Sequence, residues 1–212
     1  MTKGILYILY DREENFSEDK KLLNLLKNSI SSLREFCSLP ITIFSNLDLN
    51  LNFKNVEIRK HVYNQDQDKT AQKLFWLKNL PYDVTIFIDL DTTFFDDPEQ
   101  LISDDYDFAI CREHRFRNGK GRGYPRLCKA LNTGFFIAKR GKVYDEVMDK
   151  AMKVYEGELP CDCEKPSEWS DQWAINNGLE YVFDITIKIL PQKWNVRNPL
   201  KNKISDVKML HQ

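Results

Sequence analysis

The sequence lacks several features that would each indicate a particular class of protein. Its 31 lysines and arginines nearly balance 32 aspartates and glutamates, so we expect no broad electrostatic footprint for nucleic acid. No apolar run approaches the length of a membrane span. The first residues run straight into a strand-like stretch, without the apolar core and cleavage site of a signal peptide. These absences predict a cytoplasmic protein without a membrane span.

Cysteine is present in an odd number. The five are Cys37, Cys111, Cys128, Cys161 and Cys163. An odd count without a secretory signal indicates reduced thiols. Cys161 and Cys163 could supply two zinc ligands, with Cys111 and Cys128 as partners, although the spacing resembles no common zinc module.

The sequence does contain enough apolar residues for one domain. A hydrophobic content of 42% in 212 residues suits a sizeable core, and no internal repeat or linker divides the chain. Strand-like segments alternate with helical ones, which predicts βαβ units in an α/β sheet. The predicted strands are 4–10, 41–44, 56–59, 84–88, 108–111 and 135–138, with short ones within 181–190. The predicted helices are one capped by Ser17 with apolar positions as far as Phe36, then 69–79, 142–155 and 169–176, with a helical turn at 98–102.

The most informative segment is an apolar run that ends in two carboxylates. Residues 84–88 suit a strand covered on both faces, and Asp89-Leu90-Asp91 follows directly. Side chains at i and i+2 of an extended segment point the same way, so Asp89 and Asp91 should meet at the carboxyl end of the strand. Open α/β sheets bind ligands there. Two adjacent carboxylates repel unless a cation or shared proton joins them, and Mg²⁺ or Mn²⁺ would satisfy both.

This segment is compatible with more than one interpretation. Residues 89–93 fit the D-x-D-x-T pattern of haloacid-dehalogenase phosphatases, in which the first Asp is a nucleophile and the second a general acid. That motif follows the first strand of its class, whereas more than eighty residues precede it here. No acidic pair after a late strand completes such a site. The other interpretations are a metal site for a nucleoside diphosphate sugar and a pair of solvated carboxylates without function.

Further motifs occur in a fixed order around the carboxylate pair. They are Lys73-Leu74, Asn132-Thr133-Gly134, Asp171-Gln172, Leu190-Pro191-Gln192-Lys193-Trp194-Asn195 and His211. Over nearly the whole chain, this order and spacing resemble GT-A-fold glycosyltransferases, especially glycogenin-like members of glycosyltransferase family 8. The size also resembles virus-encoded glycosyltransferase domains. The resemblance implies one domain over residues 1–212 with a Rossmann-like, mostly parallel sheet flanked by helices. Its N-terminal half would bind the nucleotide and its C-terminal half the sugar and acceptor.

The resemblance also implies which residues bind the nucleotide-sugar donor. They are Leu9, Tyr10, Asp11, Lys73, Asp89, Leu90, Asp91, Asn132, Thr133 and Gly134. Tyr10, at the end of the first strand, would stack on the base. Lys73 would approach the phosphates or the sugar as a point charge. Gly134 would let backbone and ligand approach closely beside the donor sugar.

The metal and the reaction centre are implied in the same way. Asp89, Asp91 and His211 would ligate Mn²⁺ or Mg²⁺ on the diphosphate and neutralise charge on the departing nucleoside diphosphate. Asp171 and Gln172 would lie near the anomeric carbon and the acceptor. The implied reaction transfers a sugar from a UDP-sugar to a hydroxyl of a glycan or glycoprotein, with retention at the anomeric carbon.

Each assignment has a structural alternative that the sequence leaves open. Lys73 could be a solvated helix lysine, and residues 132–134 a turn before a strand. Asp171 could belong to a helix cap, and Tyr10 to the core or its rim. A lone histidine such as His211 is usually not a ligand. At the level of function, the alternatives are the phosphatase and a non-catalytic domain that binds sugar nucleotides or glycans.

Two segments bear on the acceptor and on the extent of the chain. Residues 112–129 form a basic loop with three glycines, which is either solvated or closes over the donor and holds a phosphate-bearing or acidic acceptor. The family has a glycine and a lysine soon after its histidine, whereas this sequence ends at Gln212. A metal ligand at a chain end would fray, so we expect further residues, and additional domains, C-terminal to it.

Overall fold

The structure, a computed structural model, describes residues 1–10, 16–61, 69–112, 131–160, 171–197 and 204–211. The first half contains β1 (Lys3–Leu9), α1 (Phe16–Arg34), β2 (Ile41–Ser45), β3 (Val56–Lys60), α2 (Lys69–Leu77) and β4 (Val84–Ile88). The second half contains β5 (Thr92–Phe94), β6 (Phe108–Arg112), β7 (Leu131–Lys139), α3 (Lys142–Glu156), α4 (Asp171–Glu180), β8 (Ile187–Leu190), β9 (Val196–Arg197) and β10 (Met209–His211). Short 3-10 helices occupy Pro98–Leu101 and Gln192–Trp194.

Seven strands form the central sheet, in the order β3-β2-β1-β4-β7-β6-β8. The pairs β3–β2, β2–β1, β1–β4 and β6–β8 are parallel, and β7 runs antiparallel to both of its neighbours. The predicted mostly parallel α/β sheet flanked by helices is therefore confirmed. The antiparallel direction of β7 was not predicted.

Alternation along the central strands divides the core into two layers. In β1, Leu6 and Ile8 face the layer formed with α2, α3 and α4, whereas Ile5 and Tyr7 face the layer formed with α1. All five residues of β4 are buried, as expected for a strand covered on both faces. None of the helices in the described residues is long and apolar enough to cross a membrane.

A small second sheet has the order β5-β10-β9. Its middle strand, β10, pairs antiparallel with β5 and parallel with β9. Because β5 begins shortly after β4 ends, this sheet brings the last described residues of the chain next to the carboxylate pair. Neither this second sheet nor the pairing of its strands was predicted from the sequence.

Several predicted boundaries need correction. Helix α1 begins at Phe16, so Ser17 lies in its first turn and not at its cap. Phe36 lies beyond the end of that helix and is exposed, not part of its apolar face. Strand β7 begins at Leu131, four residues before the predicted start at residue 135, so residues 132–134 belong to a strand and not to a turn.

Candidate metal and donor site

The paired carboxylates follow the last residue of β4. Asp89 comes directly after Ile88, and β5 begins at Thr92, so the pair spans the connection between the two sheets. The Asp89 backbone N–H donates to the carbonyl of Gly134 on the neighbouring strand at 2.8 Å. Both carboxylates are partly exposed, at 28% for Asp89 and 36% for Asp91. They therefore lie at the carboxyl end of the strand, as predicted, and are open to a ligand.

His211 reaches the same place from the small sheet. It pairs with Thr92 of β5 on one side and with Arg197 of β9 on the other. Its Nε2 lies 3.2 Å from Asp91 Oδ1 and 3.9 Å from Asp89 Oδ2. The residue is buried and is held by strands on both sides, not on a fraying end. The expectation of further residues after Gln212 remains a prediction.

The three side chains form a set that fits a divalent metal ion. One potential ligand atom from each of Asp89, Asp91 and His211 lies within 4.8 Å of the other two. Burial would raise the pKa of the Asp91 carboxyl, but the hydrogen bond and charge of His211 outweigh it and lower that pKa. An ionised carboxylate is the form that binds a cation. Carboxylate oxygens with one imidazole nitrogen suit Mn²⁺ better than Mg²⁺, which favours an all-oxygen shell.

Lys73, on α2, links the metal set to α4. Its Nζ lies 2.9 Å from Asp89 Oδ1 and 2.8 Å from Asp171 Oδ2, and only 13% of its side chain is exposed. It also lies over the Phe87 ring, 4.9 Å from the centroid. Burial alone would lower the pKa of Lys73, but Asp171 and Asp89 outweigh it and raise that pKa above its ordinary value. Lys73 is thus a fixed cation in the site and not a solvated helix lysine.

A bulge in β7 shapes the wall of the site. Along β6 the pairing partner changes from Phe136 at Ile110 to Asn132 at Cys111, so residues 133–135 bulge from that ladder. A bulge bends its strand and re-aims side chains. A Cβ at Gly134 would overlap His211 Cε1 and come within 2.8 Å of Asp89 Oδ2. The close neighbours of this glycine are therefore two side chains of the candidate metal set, and the predicted approach of a ligand beside it remains a prediction.

Thr133 and Asp171 meet across the site. Thr133 Oγ1 donates to Asp171 Oδ2 at 3.1 Å, and the same oxygen forms the ion pair with Lys73 Nζ. Asp171 is the first residue of α4, where its negative charge also interacts favourably with the positive end of the helix dipole. Asn132 turns its Oδ1 to the backbone N–H of Gly134 at 2.8 Å, so this carboxamide oxygen shapes the bulge. The half-buried Gln172 follows Asp171 in the first turn of α4.

A chain of buried hydroxyl groups anchors the carboxylate segment. The Thr92 hydroxyl donates to the Asp89 carbonyl at 3.1 Å and lies 2.7 Å from the hydroxyl of Ser29 on α1. Ser29 in turn lies 2.9 Å from the hydroxyl of Tyr7 on β1. Leu90, between the two carboxylates, is half-buried and packs against the core layer that contains α1. Sequence reasoning assigned no role to Ser29 or Thr92.

Aromatic side chains gather near the ends of β1, β2 and β3. Tyr10 meets Trp76 edge-on with ring centroids 5.6 Å apart, and His61 lies 5.2 Å from Trp76 and 4.3 Å from Phe44. Burial, followed by the charge of a nearby arginine, lowers the pKa of His61. Leu9 is fully buried in the core, so it does not face a ligand directly. Tyr10 is half-buried at the rim of this group.

Asn195 contacts the candidate metal site, although sequence reasoning gave it no role there. Its Oδ1 lies 3.2 Å from Nδ1 of His211, on the side of the ring away from the carboxylates. Asn195 is buried and directly precedes β9. The sequence placed it in a motif but carried no signal for this contact, which depends on the pairing of β9 with β10.

A second group of potential ligands is less suited to a metal. Cys37, Asp97 and Glu99 also place ligand atoms within 4.8 Å of one another. Burial raises the pKa of the Cys37 thiol to about 12, which disfavours the thiolate that metals require. Asp97 is engaged as the cap of a 3-10 helix, and Glu99 pairs with Lys3 at 3.5 Å.

Other predicted residues lie outside the described part of the chain. These are Asp11, the basic loop beyond Arg112, and Cys128, Cys161 and Cys163. Cys111 is described and buried, and burial raises its thiol pKa to about 12. The zinc and loop hypotheses therefore remain predictions.

Solved glycosyltransferases share this fold. The chain is similar to the galactosyltransferase LgtC, solved in complex with donor and acceptor sugar analogues, with a TM-score of 0.62 and 12% identity over 98% of this chain and 86% of LgtC. It is similar to WbbM, a bifunctional glycosyltransferase solved in its apo form, with a TM-score of 0.62 and 15% identity over 99% of this chain but 45% of WbbM. No protein-family model and no curated protein matches the sequence. At these identities the likeness establishes the fold, and the predicted GT-A type is confirmed.

Proposed function

We propose that this protein is a metal-dependent glycosyltransferase that moves a sugar from a nucleoside diphosphate sugar, of the UDP type, to a hydroxyl of a glycan or glycoprotein. The observation that carries the proposal is the convergence of Asp89, Asp91 and His211 at the carboxyl end of β4. Lys73 and Asp171 lie beside them. The fold, shared with solved glycosyltransferases, supports the same conclusion.

Asp89, Asp91 and His211 would hold the metal ion, with Mn²⁺ favoured by the imidazole. A bound divalent ion supplies Lewis-acid neutralisation of the charge that develops on a departing diphosphate. The partial exposure of both carboxylates leaves room for phosphate oxygens on the solvent side. Because Gly134 has no Cβ, the space beside His211 and Asp89 is left open to them.

Lys73 would supply positive charge to the donor. In the structure its ammonium group joins two carboxylates. With Asp89 engaged in holding a metal ion, the Lys73 ammonium group would donate to a phosphate or sugar oxygen and keep its contact with Asp171. Because Lys73 is largely buried and always cationic, it would act without a change in protonation.

Asp171 and Gln172 would lie beside the reacting sugar. Thr133 and Lys73 both contact Oδ2 of Asp171, so its carboxylate is fixed at the start of α4. A fixed acceptor suits orientation of a sugar hydroxyl. We assign these residues a place near the anomeric carbon and no nucleophilic role. Retention, membership of glycosyltransferase family 8, kinship with virus-encoded enzymes and additional C-terminal domains remain proposals from the sequence resemblance. A cytoplasmic location remains a proposal from the character of the N-terminal sequence.

The proposal is tested by Mn²⁺-dependent binding and turnover of a panel of nucleotide sugars. We expect UDP-sugars with Mn²⁺ to raise the melting temperature and to be hydrolysed slowly without acceptor. Asp89→Asn and Asp91→Asn should abolish the metal-dependent part of both effects. Asp105→Asn is the control, because Asp105 forms an exposed pair with Lys188 at 3.0 Å.

The same panel separates the alternatives. Full affinity for UDP-sugars in both site variants, with and without Mn²⁺, would refute the metal assignment. Binding without hydrolysis or transfer would indicate a non-catalytic domain. Release of phosphate from a generic phosphomonoester, lost in Asp89→Asn, would instead support the phosphatase.

A further inference from the structure

The two ring nitrogens of His211 face different partners. Nε2 faces the carboxylates, at 3.2 Å from Asp91 Oδ1, and Nδ1 faces Asn195 Oδ1, also at 3.2 Å. His211 is 6% exposed and Asn195 is 1% exposed, so water has little access to either contact. The amide of Asn195 is therefore the group that meets the far side of the ring.

Imidazole chemistry gives this contact a consequence. A neutral ring that binds a metal through Nε2 carries its proton on Nδ1, and that buried N–H needs an acceptor. The side-chain oxygen Oδ1 of Asn195, 3.2 Å from Nδ1, is within reach to accept a hydrogen bond from that N–H. Partners of this kind fix the orientation of metal-bound histidines and raise their basicity.

The backbone around Asn195 is rigid enough for such a task. Its backbone N–H donates to the backbone carbonyl of Gln192 at 3.0 Å, and its own backbone carbonyl accepts a hydrogen bond from Gln192 Nε2 at 3.2 Å. The next residue, Val196, pairs with Leu210 in β10. Asn195 and His211 are thus held by one ladder. Asn195 Nδ2 has no hydrogen bond within the described part of the chain, so the contact with His211 is the one that the buried carboxamide makes.

We propose that Asn195 is a positioning residue whose Oδ1 accepts a hydrogen bond from Nδ1–H of His211 and so directs the Nε2 lone pair toward the place where Asp89 and Asp91 would hold a metal ion. This inference rests on the proposed metal site. It predicts that the acceptor oxygen matters and that the amide nitrogen of Asn195 does not.

Two substitutions at Asn195 separate this role from simple packing. Asn195→Asp keeps an acceptor oxygen at the same place, whereas Asn195→Leu keeps the volume and removes the acceptor. If Asn195 only filled space, a buried carboxylate would be the more damaging change. If it positions His211, Asn195→Asp binds Mn²⁺ at least as tightly as the natural protein, and Asn195→Leu binds roughly 10- to 100-fold more weakly.

The measurement is the Mn²⁺ dissociation constant of the full chain, from the electron paramagnetic resonance signal of free Mn²⁺. The Mn²⁺-induced rise in melting temperature, taken within each variant, corrects for differences in intrinsic stability. Asn177→Leu is the matched control, because Asn177 is equally buried but donates to the Trp173 carbonyl within α4. It should lower the melting temperature without changing Mn²⁺ affinity. Asn195→Ala replaces the leucine variant if that variant does not fold.

A double-mutant cycle with His211→Ala tests whether the effect passes through the histidine. In the His211→Ala background, Asn195→Leu should cause no further loss of Mn²⁺ affinity. An equal loss in both backgrounds overturns the inference, as does Asn195→Asp binding more weakly than Asn195→Leu, or Asn195→Leu binding like the natural protein. Failure of the natural protein to bind Mn²⁺ overturns the proposed metal site itself, which is a separate result.

Discussion

Replacement of Gly134 by alanine tests the geometry of the metal site with a single methyl group. Gly134 is not among the residues with a left-handed backbone, so alanine suits the conformation and any effect comes from the added Cβ. That atom would overlap His211 Cε1 and lie 2.8 Å from Asp89 Oδ2 and 3.0 Å from His211 Nδ1. Both neighbours are metal-site side chains, so the substitution acts directly on the set.

The magnitude follows from where the overlap can be relieved. Extra methyl groups in packed interiors cost about 1–3 kcal/mol. Without metal, the Asp89 carboxylate is partly exposed and can turn away, which relieves part of the overlap. A metal ion fixes both Asp89 and His211 and prevents that movement. The part of the cost that arises at Asp89 should therefore fall on the metal-bound state and weaken Mn²⁺ binding by roughly 5-fold or more, whereas the overlap with buried His211 lowers stability in both states.

The assay is a Mn²⁺ titration of Gly134→Ala beside Gly178→Ala. A Cβ at Gly178 would meet the Val147 carbonyl at 2.6 Å and the Ala151 nitrogen at 2.8 Å, where α3 and α4 pack. The control should therefore lose stability but keep its metal affinity, whereas Gly134→Ala should lose metal affinity. Unchanged Mn²⁺ binding in Gly134→Ala would refute the close approach of these three residues as the basis of the site.

Three further substitutions test other contacts of the site. Lys73→Met removes the cation that pairs with Asp89 and Asp171. Because both carboxylates are partly exposed, the unfolding free energy without metal should fall by about 1–3 kcal/mol while Mn²⁺ binds more tightly; weaker Mn²⁺ binding would contradict this competition. Thr133→Val removes the hydrogen bond to Asp171, so kcat/KM for transfer should fall by roughly tenfold or more without a change in Mn²⁺ affinity. Ser29→Ala breaks the buried hydroxyl chain, so urea denaturation should show about 1–3 kcal/mol less stability, and an unchanged midpoint would argue against the chain as an anchor.

The parts of the fold that the sequence predicted are those set by local patterns. The apolar run of β4 and the two carboxylates after it are contiguous, and the rule that ligands lie at strand ends needs no knowledge of the neighbouring strands. The helices were found because apolar positions recur at helical spacing, as with Leu74 and Leu77 on α2. The errors at both ends of α1 arose because apolar periodicity does not mark the residue at which a helix begins or ends.

The parts that escaped prediction depend on pairing between distant segments. The bulge in β7 exists because Cys111 pairs with Asn132 while the preceding residue pairs with Phe136. No local signal in residues 131–135 specifies such a step. The contact between Asn195 and His211 likewise requires the pairing of two short strands, β9 and β10, which neither segment specifies alone.

The position of His211 shows how much of the site depends on register. In β10 it pairs with Thr92, the residue directly after Asp91, so the histidine and the carboxylate are neighbours because of one pairing step. Successive side chains of a strand point to opposite faces, and a slip by one residue would turn His211 away from the carboxylates. The Thr92 hydroxyl fixes that register from the other direction, since it holds the Asp89 carbonyl and reaches Ser29 on α1. The place of the third candidate metal ligand is therefore specified by the small sheet and its anchor to the core, and not by the histidine alone.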